Sequence, residues 1–171
     1  RRVLFRSYAL EGLRPTYFRQ AQFAEFELEM HRQVEAGQPL TGDSLNQTYL
    51  QLVRKYYGES QGITKVDDLY GAEWAYIPHF YYNFYVFQYA TSIAAASLLS
   101  DDVLAKKPGA VDRYLGLLKA GGSDDPYVLL VKAGVDMATP APYDAIAHRM
   151  DRIMDQMEAI LAQKAGKAAK P

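Results

Sequence analysis

The chain has 171 residues and no cysteine, and its 19 Lys and Arg against 20 Asp and Glu give a net charge of −1. The lack of cysteine excludes a disulfide framework, thiolate metal ligands and a thiol nucleophile. The near-neutral charge argues against nucleic acid as the main partner, since phosphate binding needs an excess of cations. The length predicts one domain or a piece of a larger one, and 49% hydrophobic residues are enough to build a core.

The two ends of the chain differ from the rest. Residues 1–7, R-R-V-L-F-R-S, contain no initiating Met, fit no predicted element and match the in-frame translation of a common sequencing adapter. We therefore expect them to be an artefact, native sequence to begin near Tyr8, and the chain to be the C-terminal fragment of a longer protein. Residues 162–171 are rich in Lys, Ala and Gly and predict a frayed tail. The folded part is expected to span residues 8–161.

The hydrophobic pattern predicts helices along nearly the whole chain. Apolar residues recur at three- to five-residue steps from about 14 to 35, close to the 3.6-residue period of an α-helix. Asp43 or Ser44 is expected to cap the next helix, and residues 58–73 predict a loop. The further helices are predicted over about residues 45–56, 80–99, 109–119, 126–133 and 143–161. The expected fold is therefore all-α with no significant sheet.

Two apolar stretches predict packing inside the protein. Residues 85–99 are interrupted by Gln88 and Thr91 and are fewer than the roughly 20 of a membrane span, so they predict a buried helix. Five apolar residues of the last helix are spaced 4-3-4-3, which predicts a seam on another helix of the same chain rather than a coiled-coil dimer. They are Ile146, Met150, Ile153, Met157 and Ile160.

No complete catalytic motif is present in the chain. H-E-x-x-H, G-x-S-x-G, the phosphate-binding G-x-x-x-x-G-K-[ST] loop and G-x-G-x-x-G are all missing. His31 lies four residues from both Glu27 and Glu35, and His148 has acidic neighbours at similar spacing. Both patterns predict solvated helix faces with weak attraction between neighbouring turns. A metal bound on the His31 face or, by the same reasoning, on the His148 face is the alternative.

The surroundings of His79 are unusually aromatic. Nine of the sixteen residues from Trp74 to Tyr89 are Trp, Tyr or Phe, and each buried phenol hydroxyl needs a hydrogen-bond partner. On a helix, Tyr82, Tyr85 and Tyr89 would share one face, with His79 just ahead of them. Such a face can line a polar cleft and donate to a carbonyl or to the oxyanion that forms from it. The alternative is an aromatic core whose hydroxyls bond to other helices.

The segment Ile77–Thr91, I-P-H-F-Y-Y-N-F-Y-V-F-Q-Y-A-T, resembles the C-terminal signature of the oligoendopeptidase F family. These are zinc metallopeptidases related to thimet oligopeptidase. Four further blocks agree with the family in order and spacing, so the resemblance covers about residues 8 to 161. They are F-R-Q-A-Q-F-A-E-F-E from Phe18, Y-Y-G from Tyr56, L-K-A-G-G-S from Leu118 and A-G-V-D-M from Ala133.

The resemblance implies a fold and a cofactor. The fold would be the multi-helix C-terminal lobe of a zincin-type oligopeptidase, part of a two-lobed shell around a channel that excludes folded proteins. The family binds zinc through H-E-x-x-H and a downstream Glu, all of which precede the Phe18 block. Zinc is therefore expected in the full-length enzyme with no ligand from this chain, and Glu25, Glu27 and Glu29 are not assigned as ligands.

The resemblance also implies roles for the residues around His79. His79 and Tyr85 would be catalytic, and His79, Tyr82, Tyr85 and Tyr89 would bind substrate, because in the family these positions face the zinc and steady the tetrahedral intermediate. The implied partners are short peptides and the N-terminal remainder of the same chain. Neither nucleic acid nor a membrane is expected as a partner. We expect this fragment alone to be inactive and, since cysteine and a visible signal are lacking, the protein to be cytoplasmic.

Two other functions compete with this interpretation. The first is a non-catalytic helical binding or scaffold module in which the aromatic segment is only core. The second is a binder of single-stranded nucleic acid that stacks bases on tyrosines. It is disfavoured because no Lys or Arg lies between Trp74 and Leu104, so the cationic groove that such binding needs is absent.

Overall fold

The computed structural model describes residues 2–168, which form seven α-helices and no strand. The prediction of an all-α fold is therefore confirmed. A π-helical segment, Arg14–Phe18, joins the first two helices, and three short 3₁₀ segments cover Glu59–Gln61, Asp68–Tyr76 and Pro78–Tyr81. The helices are α1 (Arg2–Leu13), α2 (Arg19–Glu35), α3 (Gly42–Tyr56), α4 (Phe87–Leu104), α5 (Ala110–Ala120), α6 (Pro126–Lys132) and α7 (Ala141–Ala168). Among the described residues, no helix is long and apolar enough to cross a membrane.

The chain divides into two compact units, one formed by residues 15–90 and the other by residues up to 14 together with those from 91 onward. In the first unit, helices α2 and α3 pack on the 3₁₀ segments around an apolar core. Its buried members are Phe23, Phe26, Tyr49, Val53, Val66 and Val86. Trp74, Ile77 and Phe80 pack against them. Part of the aromatic run, the stretch from Trp74 to Tyr89, therefore belongs to the core.

A carboxylate ties three segments of this unit together. The Tyr49 hydroxyl of α3 donates to Glu73 Oε2 at 2.6 Å, and the guanidinium of Arg19 on α2 pairs with Glu73 Oε1. Burial, and then the hydrogen bond to Glu73, raise the pKa of Tyr49 far above its usual value. The Trp74 indole N–H donates to Asn46 Oδ1 at 2.7 Å. The Asp68–Tyr76 segment is therefore held to α3 at two adjacent residues, Glu73 and Trp74.

The start of α3 differs from the prediction. Thr41, rather than Asp43 or Ser44, is the cap: its Oγ1 accepts from the Ser44 N–H at 3.1 Å. Ser44 Oγ in turn accepts from the Thr41 N–H at 2.9 Å. This reciprocal capping box satisfies two backbone donors that a helix start otherwise leaves unpaired. Ser44 is the third helical residue of α3, which is why it does not cap the helix.

The helix predicted from about residue 80 begins only at Phe87 and continues to Leu104. Asn83 and Phe84 have φ angles of 47° and 59°, in the left-handed region that a right-handed helix cannot contain. Residues 58–73, predicted as a loop, include the Glu59–Gln61 segment and the start of Asp68–Tyr76.

The second unit contains α1 and α4–α7, apart from the first residues of α4. Helix α1 packs against α7, and the Arg6 side chain donates to Gln156 at 2.8 Å. Residues 2–7, which fitted no predicted element, are thus helical. Ile146 of the predicted α7 seam is buried and its other members are half-buried. Residues 162–168 continue α7, and the rest of the predicted frayed tail, residues 169–171, lies outside the described residues.

The Glu73 contact leads to a stability prediction. Tyr49→Phe removes a donor from a partly buried carboxylate while keeping the ring, so the free energy of unfolding should fall by about 1–3 kcal/mol. Urea unfolding followed by circular dichroism measures the change. Tyr70→Phe is the control because the Tyr70 side chain is 56% exposed and should leave stability unchanged. Equal stability of the Tyr49→Phe variant and the parent would contradict the role of Glu73.

Candidate functional site

The four residues predicted around His79 lie together. His79 is in the Pro78–Tyr81 segment, and Tyr82, Tyr85 and Tyr89 follow in the next turn and the start of α4. The ring centre of His79 is 6.1 Å from that of Tyr82, 6.1 Å from that of Tyr85 and 5.9 Å from that of Tyr89. The His79 and Tyr85 rings are nearly parallel, at 19°. We refer to these four residues as the His79 cluster.

The cluster does not form along one face of a helix, as the spacing predicted. Tyr82 and Tyr85 lie in a non-helical turn whose middle residues, Asn83 and Phe84, are both left-handed. The turn brings Tyr85 back over the His79 ring, and Tyr89 reaches the same ring from α4. The predicted neighbours are therefore correct, whereas the predicted helical geometry is wrong.

The cluster is open to solvent. The side chains of Tyr82 and Tyr85 are 58% and 39% exposed, and His79 and Tyr89 are half-buried. Phe80 and Val86, which are interspersed with them in sequence, instead pack into the core of the 15–90 unit. The aromatic-core interpretation is thus correct for the apolar members of the run and wrong for the His79 cluster.

Two phenols of the cluster, Tyr85 and Tyr89, contact each other. The rings of Tyr85 and Tyr89 meet edge to face with centres 5.5 Å apart. A hydrogen bond between the two side chains, and to a smaller extent desolvation, raise the pKa of Tyr89 above its usual value. Tyr89 therefore keeps its proton throughout the neutral pH range and is available as a hydrogen-bond donor or acceptor.

Helix α2 contacts the turn of the cluster through Glu27 and His31, both of which were predicted to lie on a solvated face. Glu27 is only 1% exposed, and its Oε1 accepts from the Phe84 N–H at 2.8 Å. The His31 ring lies against the Phe84 ring, with centres 4.3 Å apart. The predicted solvated face is thus wrong for Glu27. Its place one turn after Phe23 on the apolar stripe was the sequence signal that it is buried.

The other histidine and carboxylates do not join the cluster. His148 is exposed on α7, as predicted. Glu25 accepts from Lys55 at 2.6 Å and Tyr56 at 2.9 Å. Burial alone would raise the pKa of Glu25, but these two bonds outweigh it and hold the pKa below its usual value. Glu29 accepts from Gln33 at 3.2 Å.

The described part of the chain offers no metal centre. Within residues 2–168, no group of three or more His, Asp or Glu side chains lies close enough together to hold a metal ion. What the His79 cluster offers instead is a set of donors, an imidazole and three phenols, on an exposed surface. Such groups can hydrogen-bond to a carbonyl oxygen or to the negative charge that develops on it.

Comparison with known protein families identifies the class of protein. Residues 6–149 match the family model described as peptidase family M3. Because the match covers most of the chain, the chain belongs to peptidase family M3.

Proteins with similar sequences include oligopeptidases. Oligopeptidase PepF of Bacillus subtilis is 46% identical over 160 residues, which are 94% of this chain and 23% of that protein. Group B oligopeptidase PepB of Streptococcus agalactiae is 44% identical over 92% of this chain and 26% of that protein. The chain thus spans about a quarter of the length of these curated relatives.

Solved structures agree with this relationship. The crystal structure of oligoendopeptidase-F from Enterococcus faecium superposes with a TM-score of 0.88 at 41% identity, over 95% of this chain and 30% of that one. A putative peptidase from Chlamydophila abortus superposes with a TM-score of 0.82, also at 41% identity, over 90% of this chain and 25% of the other. The resemblance to the oligoendopeptidase F family is confirmed.

The effect of Tyr85 on the pKa of Tyr89 can be tested by titration. In Tyr85→Phe the hydrogen bond is lost, so the pKa of Tyr89 should fall toward the ordinary value of about 10. A pH titration of ¹³C-labelled tyrosines by NMR measures the shift. Tyr81→Phe is the control, because the exposed Tyr81 neighbours the cluster in sequence and should not move the titration of Tyr89. A pKa of Tyr89 that is the same in Tyr85→Phe and the parent would contradict the claim that Tyr85 raises it.

Proposed function

We propose that this chain is the C-terminal part of a metallopeptidase of the oligoendopeptidase F type, and that it supplies the substrate-side wall of a cleft that hydrolyses short peptides. The single observation that carries the proposal is the exposed His79 cluster, which lies within the segment that resembles the family signature. Membership of peptidase family M3 supports the same reaction class.

In the proposed mechanism, the cluster binds the peptide backbone and then the transition state. Tyr82 and Tyr89 hydrogen-bond to the backbone of the extended peptide and hold the scissile bond in place. His79 and Tyr85 donate to its carbonyl oxygen, on which negative charge grows as a water attacks. Donors already in position at that oxygen lower the barrier because they need not reorganise during the reaction.

Tyr85 is suited to this role because Tyr89 restrains it. The edge-to-face contact of the Tyr85 and Tyr89 rings, with centres 5.5 Å apart, and the parallel stacking of Tyr85 on His79 limit the positions that the Tyr85 ring can take. Both side chains remain partly exposed, so a peptide can reach them. A restrained but accessible donor is what binding of a transition state requires.

The metal belongs to another part of the protein in this proposal. The family resemblance implies zinc, yet residues 2–168 form no group that could hold it, so no step of the reaction is assigned to a metal in this chain. The missing partner would be the N-terminal remainder of the same polypeptide, consistent with the chain's 23% coverage of the Bacillus subtilis relative. A cytoplasmic location remains a prediction.

Exposed apolar residues on α5 support the proposal that another part of the protein covers this surface. Four apolar side chains one helical turn apart on α5 are each at least 40% exposed: Val111, Tyr114, Leu115 and Leu118. Next to them, an apolar cavity of about 530 Å³ lies between α4, α5 and α6. Apolar surface of this kind is usually covered in a complete protein.

The DNA upstream of Tyr8 in the source sample tests the fragment proposal. We expect an open reading frame that encodes H-E-x-x-H followed by a helix with a further Glu, because these are the zinc ligands of the family. Sequencing the source DNA measures this directly. A start codon close to Tyr8, or an upstream frame without the motif, would instead favour a helical binding module without peptidase chemistry.

Kinetics test the role of His79 in the full-length enzyme. His79→Ala should lower kcat/KM on a short peptide by roughly 10²-fold or more, as loss of one oxyanion donor does. The metal content should stay the same, because His79 is not a ligand in this proposal. A quenched fluorescent peptide and metal analysis provide the two measurements.

His148→Ala is the matched control, since His148 is exposed on α7 and lies outside the His79 cluster. It should leave kcat/KM unchanged. If His79→Ala keeps its activity to within a few-fold of wild type, His79 is only structural and the proposed mechanism is wrong.

A further inference from the structure

The turn between Tyr82 and Tyr85 has a backbone conformation that its own residues do not favour. Asn83 and Phe84 have consecutive left-handed φ angles of 47° and 59°. Asn adopts this conformation more readily than most residues, but for a bulky side chain such as Phe it is rare. A turn of this kind persists only where the surrounding protein stabilises it.

Glu27 supplies one such contact from a distant part of the chain. Its Oε1 accepts the Phe84 N–H at 2.8 Å, across 57 positions of sequence, and the residue is 1% exposed. A carboxylate needs strong hydrogen bonds to remain in so buried a position. It is therefore placed to bind the backbone donor in the middle of the strained turn.

His31 supplies a second contact one helical turn later. The His31 and Phe84 rings lie 4.3 Å apart at an interplanar angle of 33°. Helix α2 thus contacts Phe84 twice, at its N–H through Glu27 and at its ring through His31. The two contacts restrain the residue whose φ angle is least favourable.

We propose that Glu27 is a positioning residue: by binding the Phe84 N–H it fixes the turn that places Tyr82 and Tyr85 against His79. Its effect on catalysis rests on the proposed function, whereas its effect on the turn does not. Glu27 touches no cluster residue in this proposal and acts only through the backbone of Phe84. The carboxylate matters as an acceptor, so an amide oxygen at the same place should replace it.

Hydrogen exchange of the Phe84 amide in the 171-residue chain tests the effect on the turn. In the wild type this amide should be protected. Glu27→Ala should speed its exchange about tenfold or more, as loss of a hydrogen bond does. Nuclear Overhauser contacts between the His79 and Tyr85 rings should weaken, while those between Phe26 and Tyr49 in the core remain.

Two further variants separate the acceptor role from general damage. Glu27→Gln keeps an oxygen acceptor and should exchange at Phe84 nearly as slowly as the wild type. Glu35→Ala, an exposed position of the same helix, should change nothing. The inference is overturned if Glu27→Gln behaves like Glu27→Ala, or if Glu27→Ala leaves exchange at Phe84 and the ring contacts intact.

The wild type alone provides a test that does not depend on a variant folding. If its Phe84 amide exchanges as fast as an unprotected amide, the Glu27 contact does not persist in solution and the inference is wrong. Protection of Phe84 together with fast exchange in a folded Glu27→Ala variant supports it.

Kinetics of the full-length enzyme distinguish the inference from the proposed function. Glu27→Ala should lower kcat/KM about tenfold or more, mainly through kcat, because displaced donors stabilise the transition state less. Glu27→Gln should restore most of the activity. Loss of activity in His79→Ala with full activity in Glu27→Ala would overturn the positioning role alone. Faster exchange at Phe84 in Glu27→Ala, with full activity in His79→Ala, would overturn the proposed function alone.

Discussion

The Glu73 carboxylate is the contact on which the site-bearing unit depends. It receives the Arg19 guanidinium from α2 and the Tyr49 hydroxyl from α3, so two helices and the Asp68–Tyr76 segment meet at one side chain. That segment ends two residues before Pro78, where the His79 cluster begins. The cluster therefore follows a segment that side-chain contacts hold to α2 and α3, and support of this kind is what precise placement of functional side chains requires.

The aromatic run serves two purposes because its backbone changes conformation within a few residues. In the 3₁₀ segments, Trp74 and Phe80 point into the core, and Val86 closes it after the turn. His79, Tyr82, Tyr85 and Tyr89, which lie among and after these residues, stay at least partly exposed and form the His79 cluster. A regular helix over the same residues would repeat every 3.6 residues. It could not place Trp74, Phe80 and Val86 in the core and the His79 cluster on the surface.

Segments with a clear period were predictable from the sequence, and those without one were not. Helix α6 begins at Pro126 as predicted, because Asp125 and Pro126 are a strong start signal. The start of α4 was misplaced because the run before Phe87 is aromatic or apolar apart from Asn83, and an Asn-Phe pair does not by itself reveal two left-handed residues. Glu27 was missed because a charged residue one helical turn from His31 was interpreted as solvated. Its role as a buried acceptor depends on Phe84, which lies 57 residues away in the sequence.

The two kinds of contact at the site differ in how far apart their residues lie along the chain. The ring contacts of the cluster all arise within residues 79–89, so closing them costs little chain entropy. The Glu27–Phe84 contact instead closes a loop that contains all of α3 and the 3₁₀ segments, and long-range contacts of this kind form slowly. The rings can therefore meet early in folding, but their final orientation is reached only when helix α2 has docked.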